Sequence, residues 1–197
     1  MAQTSTTILS GKDHKSNISG TVISFTKTGT EYKISSSDTS SSGASLANLS
    51  QYDLITVTGT TNNNSTFTVK SVQSDGSYII VEEDVTSETA DGSTTYTIDH
   101  TGFVSDKAQG DGYYSQTDGV HTVSYTVTTT MTGSIKMQGT LAATPTEEDW
   151  FDIANTTLTT DLSTTIASYN FTGNFVYVRA KATSVTAGGI TKILLNS

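Results

Sequence analysis

The residues best able to do chemistry in this chain are few and scattered. Its three histidines are His14, in a polar amino-terminal segment, His100, at the edge of a glycine-rich linker, and His121, at the start of a strand pattern. A hydrolytic triad needs a histidine placed beside a serine and an acid, and no such arrangement is readable from their spacing. The absence of cysteine excludes disulfides, thiolate catalysis and cysteine-based zinc sites. The sequence therefore predicts a protein that is not an enzyme.

Acidic residues are dense in one loop of the second half, which also holds the only proline. They are Glu147, Glu148, Asp149 and Asp152. Carboxylates on an irregular loop suit Ca²⁺, but this spacing matches no EF-hand, so a solvated loop is the favoured interpretation and calcium is the alternative. A sparser acidic set in the glycine-rich linker is interpreted in the same way and consists of Asp106, Asp111 and Asp118. We predict no metal and no other cofactor.

Aromatic residues and one arginine form the candidate set for the core or for an interface. The set is Trp150, Phe151, Phe175, Tyr177 and Arg179. The pair Trp150-Phe151 follows the acidic loop directly and is more typical of packing than of a sugar-stacking platform. Tyr113-Tyr114, in a polar glycine-rich stretch, is the better platform candidate, although packing is favoured there too. Arg179 is the only arginine and should pair with a carboxylate at a sheet end or a subunit contact.

The element that must position this set is the run FVYVR at residues 175–179. Both of its faces are apolar, with Phe175 and Tyr177 on one side and Val176 and Val178 on the other. A strand with two apolar faces is usually central and covered on both sides. We therefore expect these four side chains to be largely buried in the assembled protein.

The net charge of −9 makes negatively charged partners unfavourable. A nucleic-acid groove needs clustered lysine and arginine, and anionic lipid needs the same, so neither partner is predicted. No apolar run is long enough to span a membrane. A basic segment followed by an apolar run is not visible at the amino terminus, so a secretory signal is not predicted. The expectation is a protein kept in a cytoplasm, or assembled there into something that leaves by lysis.

Short alternating runs separated by turn signals organise the whole chain and predict an all-β protein. Serine and threonine suit the outward positions of such strands. We expect two small antiparallel domains, a β-barrel or β-sandwich over residues 18–104 and a jelly-roll-like β-sandwich over residues 105–197. Residues 1–17 are polar and aperiodic, which fits a frayed end or an arm that orders against a neighbouring subunit. Residues 44–49 could form one helical turn.

Four segments of the second half resemble a known module: GSIKMQGTL at 133–141, PTEEDWF at 145–151, FTGNFVYVRA at 171–180 and GITKILLN at 189–196. Together they resemble a small β-sandwich of virion structural proteins of tailed bacteriophages, especially contractile-tailed phages of marine cyanobacteria. In the first half, DLITVTG and FTVKSV around an asparagine-rich turn are similar to another phage-associated pattern.

The resemblance implies a non-enzymatic accessory subunit that decorates or stabilises the capsid, neck or tail through protein–protein contacts. Its location would be the virion, assembled in the host cytoplasm. Its partners would be other virion proteins and further copies of itself, with a trimer as the favoured homo-oligomer. The alternative is a host-recognition or carbohydrate-binding module of a tail fibre.

Overall fold

The computed structural model describes residues 5–40, 44–114, 119–161 and 165–196, and antiparallel strands make up most of them. The predicted all-β fold class is confirmed. Helical structure in this part of the chain is limited to two 3-10 turns, Asp111–Tyr114 and Glu147–Asp149, and none of its helices could cross a membrane. The predicted helical turn at residues 44–49 is a single hydrogen-bonded turn, in which the Leu49 amide donates to the Leu46 carbonyl at 3.1 Å.

The strands of the described residues are numbered in chain order. They are β1 (Thr6–Asp13), β2 (Ile18–Gly20), β3 (Ile23–Thr28), β4 (Glu31–Ser36), β5 (Asp53–Thr58), β6 (Thr66–Val72), β7 (Tyr78–Val81), β8 (Tyr96–Val104), β9 (Ala108–Gln109), β10 (Val120–Val127), β11 (Thr132–Thr140), β12 (Phe151–Asp152), β13 (Leu158–Asp161), β14 (Ile166–Thr172), β15 (Tyr177–Ala187) and β16 (Gly189–Asn196).

The chain divides into two compact units. The first-half unit is Lys15–Thr101, and the second-half unit is Met1–His14 with Gly102–Ser197. The sequence placed the division near residue 105, whereas the units divide within β8, between Thr101 and Gly102. In the first-half unit the strands follow the order β3-β4-β7-β6-β5-β8, and β2 also pairs with β8. Their inward side chains form one core, whose most deeply buried members include Ile23, Phe25, Ile34, Leu46, Ile55, Phe67, Ile79 and Ile98.

The second-half unit has two antiparallel groups of strands. One is a four-stranded sheet in the order β1-β16-β10-β14. In the other, β11 lies between β12 and β15 and also pairs with β13. Inward residues of both groups are buried, which is the pattern of a β-sandwich. They include Leu9, Val123, Tyr125, Met131, Ile135, Met137, Val178, Ala180, Ala182, Ile193 and Leu195.

The amino-terminal segment is not an unpaired arm, which corrects the expectation for residues 1–17. Residues 6–13 form β1, which pairs with β16 from Thr6 opposite Leu195 to Asp13 opposite Gly189. A Cβ atom at position 189 would lie 2.0 Å from the Lys12 carbonyl oxygen, so only glycine allows this pairing. The strand was missed because it lies at a sheet edge and buries little apolar surface. Residues 1–4 lie outside the described part of the chain.

β15 is an interior strand, as its two apolar faces predict, because it pairs with β11 on one side and with β8 and β9 on the other. Val178 is fully buried and Phe175 is nearly so. Val176 and Tyr177 are half-buried in the single chain, so the expectation that they are buried in the assembled protein stays a prediction. The strand begins at Tyr177 and not at Phe175, since Phe175 belongs to the turn before it.

Ser184 offers a test of backbone strain in β15. Its φ is 54°, a left-handed value that costs a side-chain-bearing residue about 1–2 kcal/mol. The side chain is exposed, and the pairing with β11 shifts register here. Glycine removes the strain but loses more entropy on folding, so Ser184→Gly should raise the free energy of unfolding in urea by about 0.5–1 kcal/mol.

The matched control for this substitution is Ser134→Gly, on the paired strand β11, where φ is not positive. Glycine there brings only the entropic cost and should lower the free energy of unfolding by about 0.5–1 kcal/mol. If the two substitutions change stability in the same direction, Ser184 is not strained.

Candidate functional site

Arg179 lies at the centre of a polar network on β15 and is only 5% exposed. Its guanidinium binds the Glu147 carboxylate through two hydrogen bonds, Nη1 to Oε1 at 2.5 Å and Nη2 to Oε2 at 2.8 Å. Its Nε donates to Gln138 Oε1 at 3.0 Å, and its Cζ lies 4.3 Å from the centre of the Trp150 ring. The prediction that Arg179 pairs with a carboxylate is confirmed, and the partner belongs to the same chain.

Sheet register explains how these side chains meet. Gln138 on β11 lies opposite Arg179 on β15 and, on its other side, opposite Asp152 on β12. The Gln138 amide therefore bridges the two strands, with Nε2 donating to Asp152 Oδ1 at 2.9 Å. Glu147 and Trp150 come from the loop before β12, whose 3-10 turn is closed where the Thr146 amide and hydroxyl donate to one Asp149 oxygen. This closed turn holds Glu147 and Trp150 next to Arg179.

The acidic loop is bound to cationic side chains of the chain itself. Lys181 Nζ lies 3.8 Å from Glu147 Oε2, and Lys136 pairs with Asp152. Burial would raise the pKa of Glu147, but the hydrogen bonds and charge of Arg179 outweigh it and hold that pKa below its usual value. Two of the four carboxylates that could hold calcium, Glu147 and Asp152, are therefore already paired with cations. Among the described residues, no three histidine or acidic side chains are grouped to hold a metal ion.

Tyr177 contacts Tyr113 and Lys107, which lie in the glycine-rich linker between the two halves of the sequence. The Tyr113 ring packs against it at 5.6 Å between centroids with an angle of 50°, and Lys107 Nζ lies 4.6 Å from the centre of the Tyr177 ring. Tyr113 is 47% exposed, so about half of its side chain is in water while the rest packs against Tyr177. The side chain of Tyr114 lies outside the described residues, and so does Asp118. Packing is the role that this geometry supports for Tyr113.

Phe175 anchors an aromatic cluster with Phe151, Phe171 and His121. Its ring lies 5.9 Å from that of Phe151, 6.2 Å from that of Phe171 and 5.9 Å from that of His121. His121 is fully buried, stacks on Phe171 at 4.9 Å and has Nε2 3.1 Å from the Gly173 carbonyl oxygen. Phe151 differs from the others, since it is 46% exposed.

An open cavity of about 470 Å³ lies beside this cluster. It is bounded by the segment that follows Trp150 and by the end of β14 with the turn after it. Its lining is Phe151, Asp152, Ile153, Ala154, Asn155, Asn170, Phe171, Thr172 and Phe175. Two members of the predicted set, Phe151 and Phe175, thus reach a cavity, while Trp150, Tyr177 and Arg179 are not in its lining.

A buried polar cluster in the first-half unit was not predicted. Asp53 is fully buried and accepts hydrogen bonds from Lys15 Nζ at 2.6 Å, from the Ser50 amide at 2.8 Å and from the Ser50 hydroxyl at 3.0 Å. His100 Nε2 lies 3.7 Å from Asp53 Oδ1. A nucleophilic triad would need the serine hydroxyl to donate to the imidazole, but here it donates to the carboxylate. The cluster is a buried ion-pair network.

The Arg179 network and the Asp53 cluster both join residues that are far apart in the sequence. The spacing of residues in the sequence therefore could not predict their partners. Arg179 and Glu147 are 32 positions apart, and Lys15 and Asp53 are 38 apart. Neither family models, nor curated proteins, nor solved structures give any match to this chain.

Proposed function

We propose that this chain is a non-enzymatic virion structural protein of a tailed phage, an accessory subunit that binds capsid, neck or tail proteins and further copies of itself. The proposal starts from the resemblance of residues 133–196 to phage β-sandwich modules. Its support in the geometry is a nearly uncharged outer surface formed by three strands, β10, β14 and β16, of the four-stranded sheet in the second-half unit. That surface suits contact with another protein.

The outer surface is formed by alternate residues of β10, β14 and β16, whose neighbours point into the core. It consists of Val120, Thr122, Ser124, Thr126, Ile166, Ser168, Asn170, Thr172, Lys192, Leu194 and Asn196. Only Lys192 carries a charge, although the chain contains 19 acidic residues. Val120 is 47% and Ile166 is 65% exposed. Interface cores are depleted in charged residues in the same way.

β14 adds an open edge to this surface. Within the described residues it pairs with β10 alone, so its other edge presents unpaired backbone groups. Its seven residues, IASYNFT, include neither a charge nor a proline, the usual devices that keep sheet edges apart. An extended segment of a partner can add to such an edge through main-chain hydrogen bonds. We therefore propose strand addition at β14 as the mode of attachment.

The first experiment is mass spectrometry of virions purified from the phage that encodes the chain. The protein should be present in several copies per particle and should remain after stringent washing. Its absence from purified particles would refute the proposal.

The second experiment places a charge on the outer surface. Ser124→Glu should lower incorporation into particles by at least about tenfold, because an unpaired charge at the centre of an interface costs several kcal/mol. The control is Thr159→Glu, an equivalent change at an exposed position of β13. Circular dichroism should show that both variants fold. Equal incorporation of the two would exclude this surface as the contact.

The alternative, a host-recognition or carbohydrate-binding module of a tail fibre, is favoured by one separate observation. The cavity beside Phe175 combines exposed aromatic surface with polar side chains, and the chemistry of its ligand is argued below.

A further inference from the structure

We propose that the cavity lined by Phe151, Asn155 and Asn170 binds a neutral saccharide, with one pyranose ring held inside it. This inference goes beyond the proposed structural role, and the cavity shares only Asn170 and Thr172 with the outer surface centred on Ser124. The volume of the cavity, about 470 Å³, lies in the range of about 300–1,000 Å³ that is typical of small-molecule sites.

Aromatic rings form the apolar side of the cavity. Phe151 is 46% exposed at its edge, whereas Phe171 and Phe175 are 5% and 8% exposed and support it from behind. An aromatic face is negative, so it attracts the positively polarised C–H groups on one face of a pyranose ring. The exposed part of the Phe151 ring is free to make such a contact. The exposure of Phe151 is therefore consistent with a ligand-stacking role.

Asparagine amides form the polar side. Asn170 Oδ1 accepts a hydrogen bond from Thr122 Oγ1 at 2.9 Å, which orients the amide and makes its NH₂ group the donor for a ligand. The Asp152 carboxylate points to the other face of β12 from the Phe151 ring, where Gln138 and Lys136 bind it. Sugar hydroxyls both donate and accept, so this mixture of groups matches them.

Asn155 occupies the opposite wall in a left-handed conformation, with φ of 60°. Asparagine adopts this conformation at little cost when its surroundings favour it. Here the next residue supplies the constraint, because Thr156 is fully buried. Its hydroxyl donates to the Ile153 carbonyl at 2.7 Å and accepts from the Met137 amide at 3.1 Å, while its carbonyl accepts from the Tyr125 hydroxyl at 2.9 Å.

The charge of the lining selects the ligand class. It contains no lysine, arginine or histidine, so a phosphate or sulfate group would find no cationic partner. Its one acidic residue, Asp152, is paired with Lys136 and offers no free charge. A neutral polyol remains as the ligand that uses the aromatic face and the amides together.

The test is NMR titration of the full chain with glucose, galactose, mannose and N-acetylglucosamine, each as the free sugar and as its methyl glycosides. The glycosides distinguish a free sugar from the terminal unit of a glycan chain, because only the latter lacks the anomeric hydroxyl. We expect at least one sugar to bind with a Kd on the order of 1 mM, as befits a small ligand in an open site. Its amide shifts should centre on residues 151–155 and 170–172.

Two variants remove the proposed contacts at little cost to folding. Phe151→Ala deletes the exposed ring, and Asn155→Gly deletes the amide while keeping a residue that accepts positive φ. Each should weaken binding by about tenfold or more. The control Leu141→Ala, at a 66% exposed position outside the lining, should bind as the unchanged chain does.

Failure of every sugar to shift these amides would overturn the proposal, as would equal binding by Phe151→Ala and Leu141→Ala. Ser124→Glu should retain sugar binding, since Ser124 is not in the lining. A chain that binds sugar but is missing from virions, or the reverse, separates this inference from the proposed structural role.

Discussion

Replacement of Asp53 by alanine is expected to lower the free energy of unfolding by about 3–5 kcal/mol, measured by urea denaturation at pH 7. The carboxylate is fully buried and accepts hydrogen bonds from Lys15 and Ser50. Its removal leaves the Lys15 ammonium, which is 19% exposed, next to a cavity instead of a counter-ion. An uncompensated buried charge is among the most damaging results of a single substitution.

Asp53→Asn separates charge from packing at the same position. Asparagine keeps the shape of the side chain but turns one acceptor into a donor facing Lys15, so its cost should approach that of alanine. The control is Asp84→Ala, which breaks the exposed pair with Lys27 and should leave the denaturation midpoint within experimental error. If Asp53→Asn is as stable as the unchanged chain, the network does not stabilise the fold through charge.

The same network makes stability depend on pH. Burial would raise the pKa of Asp53, but the neighbouring His100 ring and the hydrogen-bonded Lys15 ammonium outweigh it and hold that pKa below its usual value. Folding therefore favours the ionised carboxylate. The stabilisation is fully present above the unfolded pKa of about 3.9 and is lost as the pH falls through the lower folded value. Asp53→Asn should flatten this part of the acid unfolding curve.

Replacement of Arg179 by alanine is expected to lower the free energy of unfolding by about 2–4 kcal/mol. It removes both hydrogen bonds to Glu147, the bond to Gln138 and the stacking on Trp150. The cost is set below that of Asp53 because the Glu147 side chain is 29% exposed and can regain water. Arg179→Lys should recover little of it, since an ammonium cannot bind in two places or stack as a guanidinium does.

Trp150 provides a local readout of this substitution, because it is the only tryptophan. Loss of the guanidinium from its ring should shift its fluorescence emission to longer wavelength in both Arg179 variants at urea concentrations where circular dichroism still shows a folded chain. A matched control is Lys136→Ala, which breaks the neighbouring pair with Asp152 and keeps the Arg179 guanidinium over the indole ring. Unchanged emission after Arg179→Ala would mean that the two side chains are not stacked.

Local sequence patterns predicted the strands and turns well. Ile55 and Val57 alternate with threonine, and both are buried on β5. The Asp-Gly signals at Gly76 and Gly92 are turns in which both glycines have positive φ, at 74° and 73°. These predictions succeed because side-chain alternation and turn chemistry depend on neighbours one to four positions away, so the physical cause is already present in the local sequence.

The candidate site was predicted only in part. The aromatic character of residues 150–151 and 175–177 and the ion pairing of Arg179 followed from residue type and strand pattern. The partners of Arg179 did not, because Glu147 and Gln138 are 32 and 41 positions away and meet it only through the register of β11, β12 and β15. Burial of Asp53 was hidden for the same reason, since a lone aspartate beside an apolar run is usually solvated.

The sequence by itself thus determined that the chain is built of short antiparallel strands, because alternation and turns are local properties. Tertiary structure alone decided which strands are neighbours, and so placed β1 on β16 near opposite ends of the chain. It also brought Asn155 and Asn170 to one cavity and left β14 at an open edge. Pairing of distant strands is set by the burial of both their faces together, and a pattern of period two within one strand does not specify its partner.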